Sequence, residues 1–116
     1  MTLRRYFVVA LAVPVALSVG ACAKPTQHRT IAAAAVNGKA GFSPDVVRVK
    51  KGDKVSIRVG NTTDKTHGFT IANYGIQRTV DAGKPITVQF AATQPGRYEI
   101  YCQLHPAHQK ASLLVR

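Results

Sequence analysis

From Thr30 onward the sequence is built of short runs rich in β-branched and aromatic residues, each closed by Gly, Pro, Asn or Asp. That punctuation excludes long helices, and no window shows the 3.6-residue apolar period of an amphipathic helix. Strands are predicted near Ile31 to Val36, Val46 to Lys50, Lys54 to Val59, Gly68 to Ala72, Ile86 to Ala91, Arg97 to Cys102 and Ala111 to Val115. Alternation assigns the inward faces: Val55, Ile57 and Val59 share one parity, as do Ile86, Val88 and Phe90. Seven short strands with turn residues between them predict an all-β fold, a two-sheet β-sandwich. Lys51-Gly52-Asp53 reads as a short hairpin, Asp81-Ala82-Gly83 as a turn before a strand, and Gln94-Pro95-Gly96 as a reversal whose glycine takes positive φ.

The start of the chain reads differently. Arg4 and Arg5 precede an uncharged run from Tyr6 to Ala21, the form of a basic n-region and apolar h-region. The run closes on Val19-Gly20-Ala21-Cys22, similar to the small-residue box after which a bacterial signal peptide is cut and the new N-terminal cysteine acylated. Cleavage as an ordinary secreted precursor, or retention as an N-terminal anchor, also fits the pattern. Residues 1–21 are therefore expected to be a lipoprotein-type signal, 22–30 a flexible tether lipidated at Cys22, and 31–116 one compact domain. His28 falls in the tether as a solvated residue. The implied location is exported, on the extracytoplasmic membrane face or in a periplasm.

Sixteen Lys and Arg stand against five Asp and Glu, for a formal charge of +11. The cations are scattered, with no aromatic-interleaved basic helix, so nucleic acid is not expected as a partner. A positive field of this kind favours anionic lipid head groups or an acidic protein. Gly-rich phosphate loops and a Gly-x-Ser-x-Gly elbow are missing from the sequence, and the few acids are dispersed, which leaves no paired-carboxylate chemistry.

Only two cysteines occur, Cys22 and Cys102. With Cys22 acylated, Cys102 is a lone thiol in an oxidising compartment, where thiols otherwise pair. A structural buried cysteine and a Cys22–Cys102 disulfide are the competing readings. The neighbourhood decides for a metal: Cys102, His105 and His108 lie within seven residues at a strand end, and Pro106 stiffens the return. Parity aims the sulfur inward with Tyr98 and Ile100, and His67 inward with Phe69 and Ile71. One thiolate and two imidazoles in an apolar setting are the donors of blue-copper sites; the same set would satisfy tetrahedral Zn, over which the Irving–Williams order favours Cu. A Cys–His nucleophile pair would need an orienting third group that the sequence does not offer.

The segments Gly52-Asp53-Lys54-Val55, His67-Gly68-Phe69, Gln94-Pro95-Gly96-Arg97-Tyr98-Glu99-Ile100-Tyr101-Cys102 and His105-Pro106 together resemble a bacterial cupredoxin over Gly41 to Val115. The resemblance implies a Greek-key sandwich holding one copper ion, Cu(I)/Cu(II), through His67, Cys102 and His105. The ligand loop is most similar to that of amicyanins and pseudoazurins, where a methionine follows the second histidine by three positions. Here His108 stands at that position and Met1 is the only methionine. His108, Gln109 or a backbone carbonyl is then the axial donor. The resemblance further implies a monomeric electron carrier, without enzymatic activity, that passes electrons through His105 to a redox partner protein in the envelope, docking near Pro106 and Ala107. Copper sequestration or delivery is the second reading, and a small copper enzyme with an open coordination position the third.

Overall fold

A computed structural model describes residues 10, 12 and 25–116. Cys22 and the segment expected to be a signal lie outside the described residues, apart from Ala10 and Ala12. Nine strands follow one another: β1 (Gln27–Val36), β2 (Lys39–Ser43), β3 (Val46–Val49), β4 (Lys54–Asn61), β5 (His67–Ile71), β6 (Ile76–Val80), β7 (Ile86–Ala91), β8 (Gly96–Ile100) and β9 (Ala111–Val115). One sheet runs β2-β1-β4-β7 and the facing sheet β3-β9-β8. The β5-β6 pair joins the second sheet through Thr70 and Tyr101, whose backbone N–H groups each donate to the other's carbonyl, at 2.9 and 3.1 Å. The only helical element among the described residues is a 3-10 turn at Ala72–Tyr74. The all-β sandwich read from the sequence is the observed fold.

The inward parities recur as the core. Val55, Ile57 and Val59 of β4 are buried against Ile31, Phe69, Ile100 and Leu113, and Phe42 meets Phe69 edge-on at 6.0 Å between ring centroids. Phe69 and Ile100 are fully buried, and each lies two residues from an expected ligand, His67 and Cys102. Burying such a side chain stabilises by about 1.5–3 kcal/mol. Because neighbours two apart on a strand share a face, these anchors fix the direction of the donors beside them.

Four expectations need correction. Lys51-Gly52-Asp53 is no hairpin: β3 and β4 belong to opposite sheets, so this turn carries the chain across the sandwich. The apolar residues on both sides of the turn face one core from its two walls. The stretch ending at Thr30 is not all tether, since β1 starts at Gln27 and pairs in parallel with β4 from Gln27–Val55 onward. Backbone pairing there needs no apolar side chains, which is why the polar composition hid it. His28 is exposed as expected, but on that strand. Strand β2 was concealed by Lys39, Ala40 and Gly41, although the Asn37-Gly38 turn that creates it, with φ of 51° and 75°, is a hairpin signal. Strand β6 was concealed by the polar Gln77-Arg78-Thr79 that it exposes at a sheet edge. The reversal at Gln94-Pro95-Gly96 is as predicted: Gly96 has φ of 149° and Tyr98 Oη donates back to the Gln94 carbonyl at 2.9 Å.

Candidate metal centre

β4 and β8 both run toward one end of the sandwich, and the loops there carry every donor. After β4, Asn61 organises the turn into β5. Its buried amide donates to the carbonyls of Lys65 (2.7 Å) and Val80 (2.8 Å), while its oxygen accepts from Thr63 N–H and Oγ1. His67 therefore enters β5 from a fixed direction, opposite Val80 in the β5-β6 ladder. After β8, the His105 N–H donates to the Cys102 carbonyl (3.2 Å) and the His108 N–H to the His105 carbonyl (3.0 Å). Two successive tight turns wind residues 102–108 around one point.

The result is a cluster of His67, Cys102, His105 and His108, with one donor atom of each lying within 4.8 Å of all the others. Donors bound at about 2.0–2.3 Å to one tetrahedral ion lie roughly 3.3–3.8 Å apart, so closing in by up to about 1 Å lets these four share one ion. His67 and Cys102 are buried, His105 and His108 half-buried. His105 and His108 stack at 4.5 Å between centroids, and the His67 ring lies 5.4 and 5.2 Å from them. Cys102 is free, its sulfur 3.4 Å from His105 Nδ1 and accepting the Gly68 N–H at 3.1 Å. Metal would bind Cys102 as its thiolate. The thiol and the three imidazoles expected as metal ligands are thus brought together. Gln109 instead packs along Gly41 and donates its N–H to the Ala40 carbonyl at 3.0 Å.

Burial holds the His67 imidazole below its ordinary pKa of 6.5, with the His108 and His105 rings adding to the effect and Asp64 partly offsetting it. Burial, then His105, lowers His108 as well. Both rings are therefore neutral at pH 7, each with a lone pair to give. The shift also sets a pH dependence for the metal-free protein. Because the folded pKa lies below the unfolded one, the unfolded chain takes up more protons as pH falls. This contribution is complete above about pH 6.5 and is lost as pH drops through the lowered folded values. The apo protein's Tm is expected to decline on acidification below pH 6.5, and to decline less in His67→Gln; equal acid sensitivity in the two proteins would contradict the assignment.

Sequence reading missed the residues that hold this loop in place. Gln103 accepts from Thr70 Oγ1 (2.7 Å) and donates to the Arg78 carbonyl (2.9 Å), lying across Gly68 where no Cβ fits. A glycine within a strand is a signal of such close approach; for Gln103 the sequence carries none. Asn61 was legible only as a turn former. Leu104, 47% exposed, stands beside His105 with Pro106 and Ala107, which gives the half-buried ring an apolar rim.

The chain's relatives bear on this geometry. A family model described as the cupredoxin-like domain matches residues 7–115. The nitrous-oxide reductase of Stutzerimonas stutzeri is 30% identical over 74 residues, covering 60% of this chain and 12% of that protein. The chain spans about a tenth of the length of the curated relatives it matches. Among solved structures, auracyanin A, a "blue" copper protein from Chloroflexus aurantiacus, superposes with a TM-score of 0.65 at 16% identity, covering 79% of this chain and 100% of that one. The metal-binding domain of the Cu(I)-exporting P-type ATPase CopA from Streptococcus pneumoniae D39, solved with Cu(I), gives 0.65 at 20% identity, covering 78% and 86%. At such identities the likeness is one of fold.

Proposed function

Because the chain belongs to the cupredoxin-like domain family, we propose that it is an exported one-copper electron carrier of the cell envelope, with His67, Cys102, His105 and His108 as ligands. The observation that carries this reading is a single sulfur and three imidazoles converging on one point at the end of a β-sandwich. The ion supplies a one-electron couple. The protein's part is to hold the donors still: Phe69 and Ile100 anchor their strands, Asn61 and Gln103 fix the loops, and the Gly68 N–H steadies the sulfur. A donor set that barely moves between two oxidation states makes each electron transfer cheap in reorganisation. His105 is half-buried and flanked in the chain by the exposed Leu104, Pro106 and Ala107, so its ring is the short route to a partner pressed against that apolar rim. Export follows from the basic and apolar leader, and acylation at Cys22 from the box that precedes it.

The imidazole at position 108 separates this carrier from one with a thioether. Nitrogen favours Cu(II), so the reduction potential should be low. Cyclic voltammetry of His108→Met is expected to show a raised potential, about 59 mV for each tenfold of Cu(II) preference removed. An unchanged potential and visible band would take His108 out of the ligand set.

The same fourth donor favours one second reading, copper sequestration or delivery in the envelope. Three imidazoles and a thiolate bind tightly, and two of the rings reach the surface. Rapid electron self-exchange with the metal retained supports the carrier; loss of copper to a chelating acceptor without electron exchange supports the handler.

A further inference from the structure

The two ends of the sandwich differ in charge. The end opposite the metal centre is where β3 and β9 finish and where β4 and β8 begin. It is knit together by Lys51 N–H to the Arg116 carbonyl (2.8 Å), Gly52 N–H to Ala92 (2.7 Å) and Arg116 N–H to Val49 (3.1 Å). Lys50, Lys51, Lys54, Arg97 and Arg116 are all exposed there. The acid at this end is Asp53, which is buried and accepts a hydrogen bond from Gln27. The other four acids lie toward the metal end: Asp45 before β3, Asp64 in the loop before His67, Asp81 under Thr66, and Glu99 beside Lys110. Strand β4 separates the two poles, its eight residues spanning roughly 25 Å.

The chain also enters the fold at this end. Gln27 opposes Val55 at the start of β1, and Thr26 with Lys54 and Phe90 lines an open groove beside it. In sequence, Cys22 lies three positions before Pro25 and follows the uncharged run from Tyr6 to Ala21. Whether the acylated cysteine or the apolar run is what engages a membrane, only a few residues separate it from the basic pole. That proximity favours a bilayer over an acidic protein as the surface this pole meets.

We propose that this pole, centred on Lys50, Lys51, Lys54 and Arg116, docks on anionic lipid head groups, so that the metal end and its His105 rim point away from the membrane. The orientation deepens the envelope reading and rests on it for the surface at hand. Each basic residue near an anionic leaflet contributes enough to change partitioning about fivefold. The geometry then makes the anchor a brace as well as a tether: the exit for electrons is presented to partners, not to lipid.

The test uses the full chain as processed by its host. Its partition onto vesicles of equal parts phosphatidylglycerol and phosphatidylcholine is divided by its partition onto phosphatidylcholine alone. Acyl chain and apolar segment bind both vesicles, so they cancel in the ratio. The triple variant Lys50→Glu/Lys51→Glu/Lys54→Glu is expected to lower the ratio by about two orders of magnitude. Lys39→Glu/Lys65→Glu/Lys84→Glu, the same charge change at the metal end, should lower it less than tenfold. Unaltered circular dichroism in both variants excludes misfolding as the cause. Amine acylation read by mass spectrometry should show Lys50, Lys51 and Lys54 protected by the anionic vesicles, with Lys39 and Lys84 unprotected. Equal losses in the two triples, no loss in either, or protection at the metal-end lysines would overturn the proposal; no loss in either leaves an acidic protein as the partner of this pole, and protection at the metal end reverses the orientation. Mass spectrometry of the N-terminus reports acylation of Cys22 separately, so failure of the anchor and failure of the pole are distinguishable.

Discussion

Copper-loaded Cys102→Ser is expected to lack the intense visible band of the parent protein while keeping its fold. The band is a sulfur-to-copper charge transfer, and Cys102 is the only thiol among the described residues that reaches the three imidazoles. Serine preserves the size of the buried side chain and accepts from Gly68 N–H in place of sulfur, so the sandwich tolerates it. What it removes is the soft donor that suits Cu(I). Affinity for Cu(I) should fall by more than the about 10–100-fold that loss of an outer-sphere partner costs, and Cu(II), left with three nitrogens, should show only weak ligand-field absorption. Titration with Cu(I) against a competing chelator and a visible spectrum after Cu(II) addition measure both effects. A parent protein that stays colourless with Cu(II), or a variant that retains the band, would end the assignment of Cys102 as a copper ligand.

The site was easier to read than the frame around it, for physical reasons. A metal centre demands residue types that are scarce and costly to bury, so His67, Cys102, His105 and His108 stand out at their spacing. Strand parity then supplied their direction, because Ile100 and Phe69 could face only inward. The parity test was cruder at β5, where Gly68 and Thr70 are as buried as their neighbours; both sides of that strand are covered, and alternation carries no information there. Pairing partners were hidden more thoroughly. β1 and β4 lie parallel, and β3 and β9 lie parallel, each pair distant in sequence. Their ladders are backbone hydrogen bonds, which any residue but proline can make. A local signal such as Gly52-Asp53 marks a change of direction but not whether the chain returns to the same sheet or crosses to the other. The loop-bracing residues were hidden for a related reason, since Gln103 and Asn61 act through amide groups that on most surfaces only meet water.

Gly68→Ala is expected to damage the site as severely as any change outside the donor set. A Cβ at position 68 would stand 2.0 Å from Gln103 Oε1, 2.4 Å from its Cδ and 2.9 Å from its backbone nitrogen. Side-chain movement relieves the first two contacts, but it breaks the bonds from Thr70 and to Arg78, each worth about 0.5–1.5 kcal/mol. The third contact is with backbone directly after Cys102, and only a shift of that backbone relieves it. Overpacking of this kind costs about 1–3 kcal/mol. The displacement also pulls the residue 68 N–H from the sulfur it steadies, so the copper band should move and affinity fall by about 10–100-fold. Adding Gln103→Ala separates the two effects: the double variant should regain stability, because the side-chain clash is gone, yet keep the altered spectrum, because the backbone contact persists. Thermal unfolding and the visible spectrum of the three variants complete the cycle. A Gly68→Ala protein with parental Tm and parental spectrum would show that the loop after β8 is free to yield, and that its rigidity is not what sets the geometry of the centre.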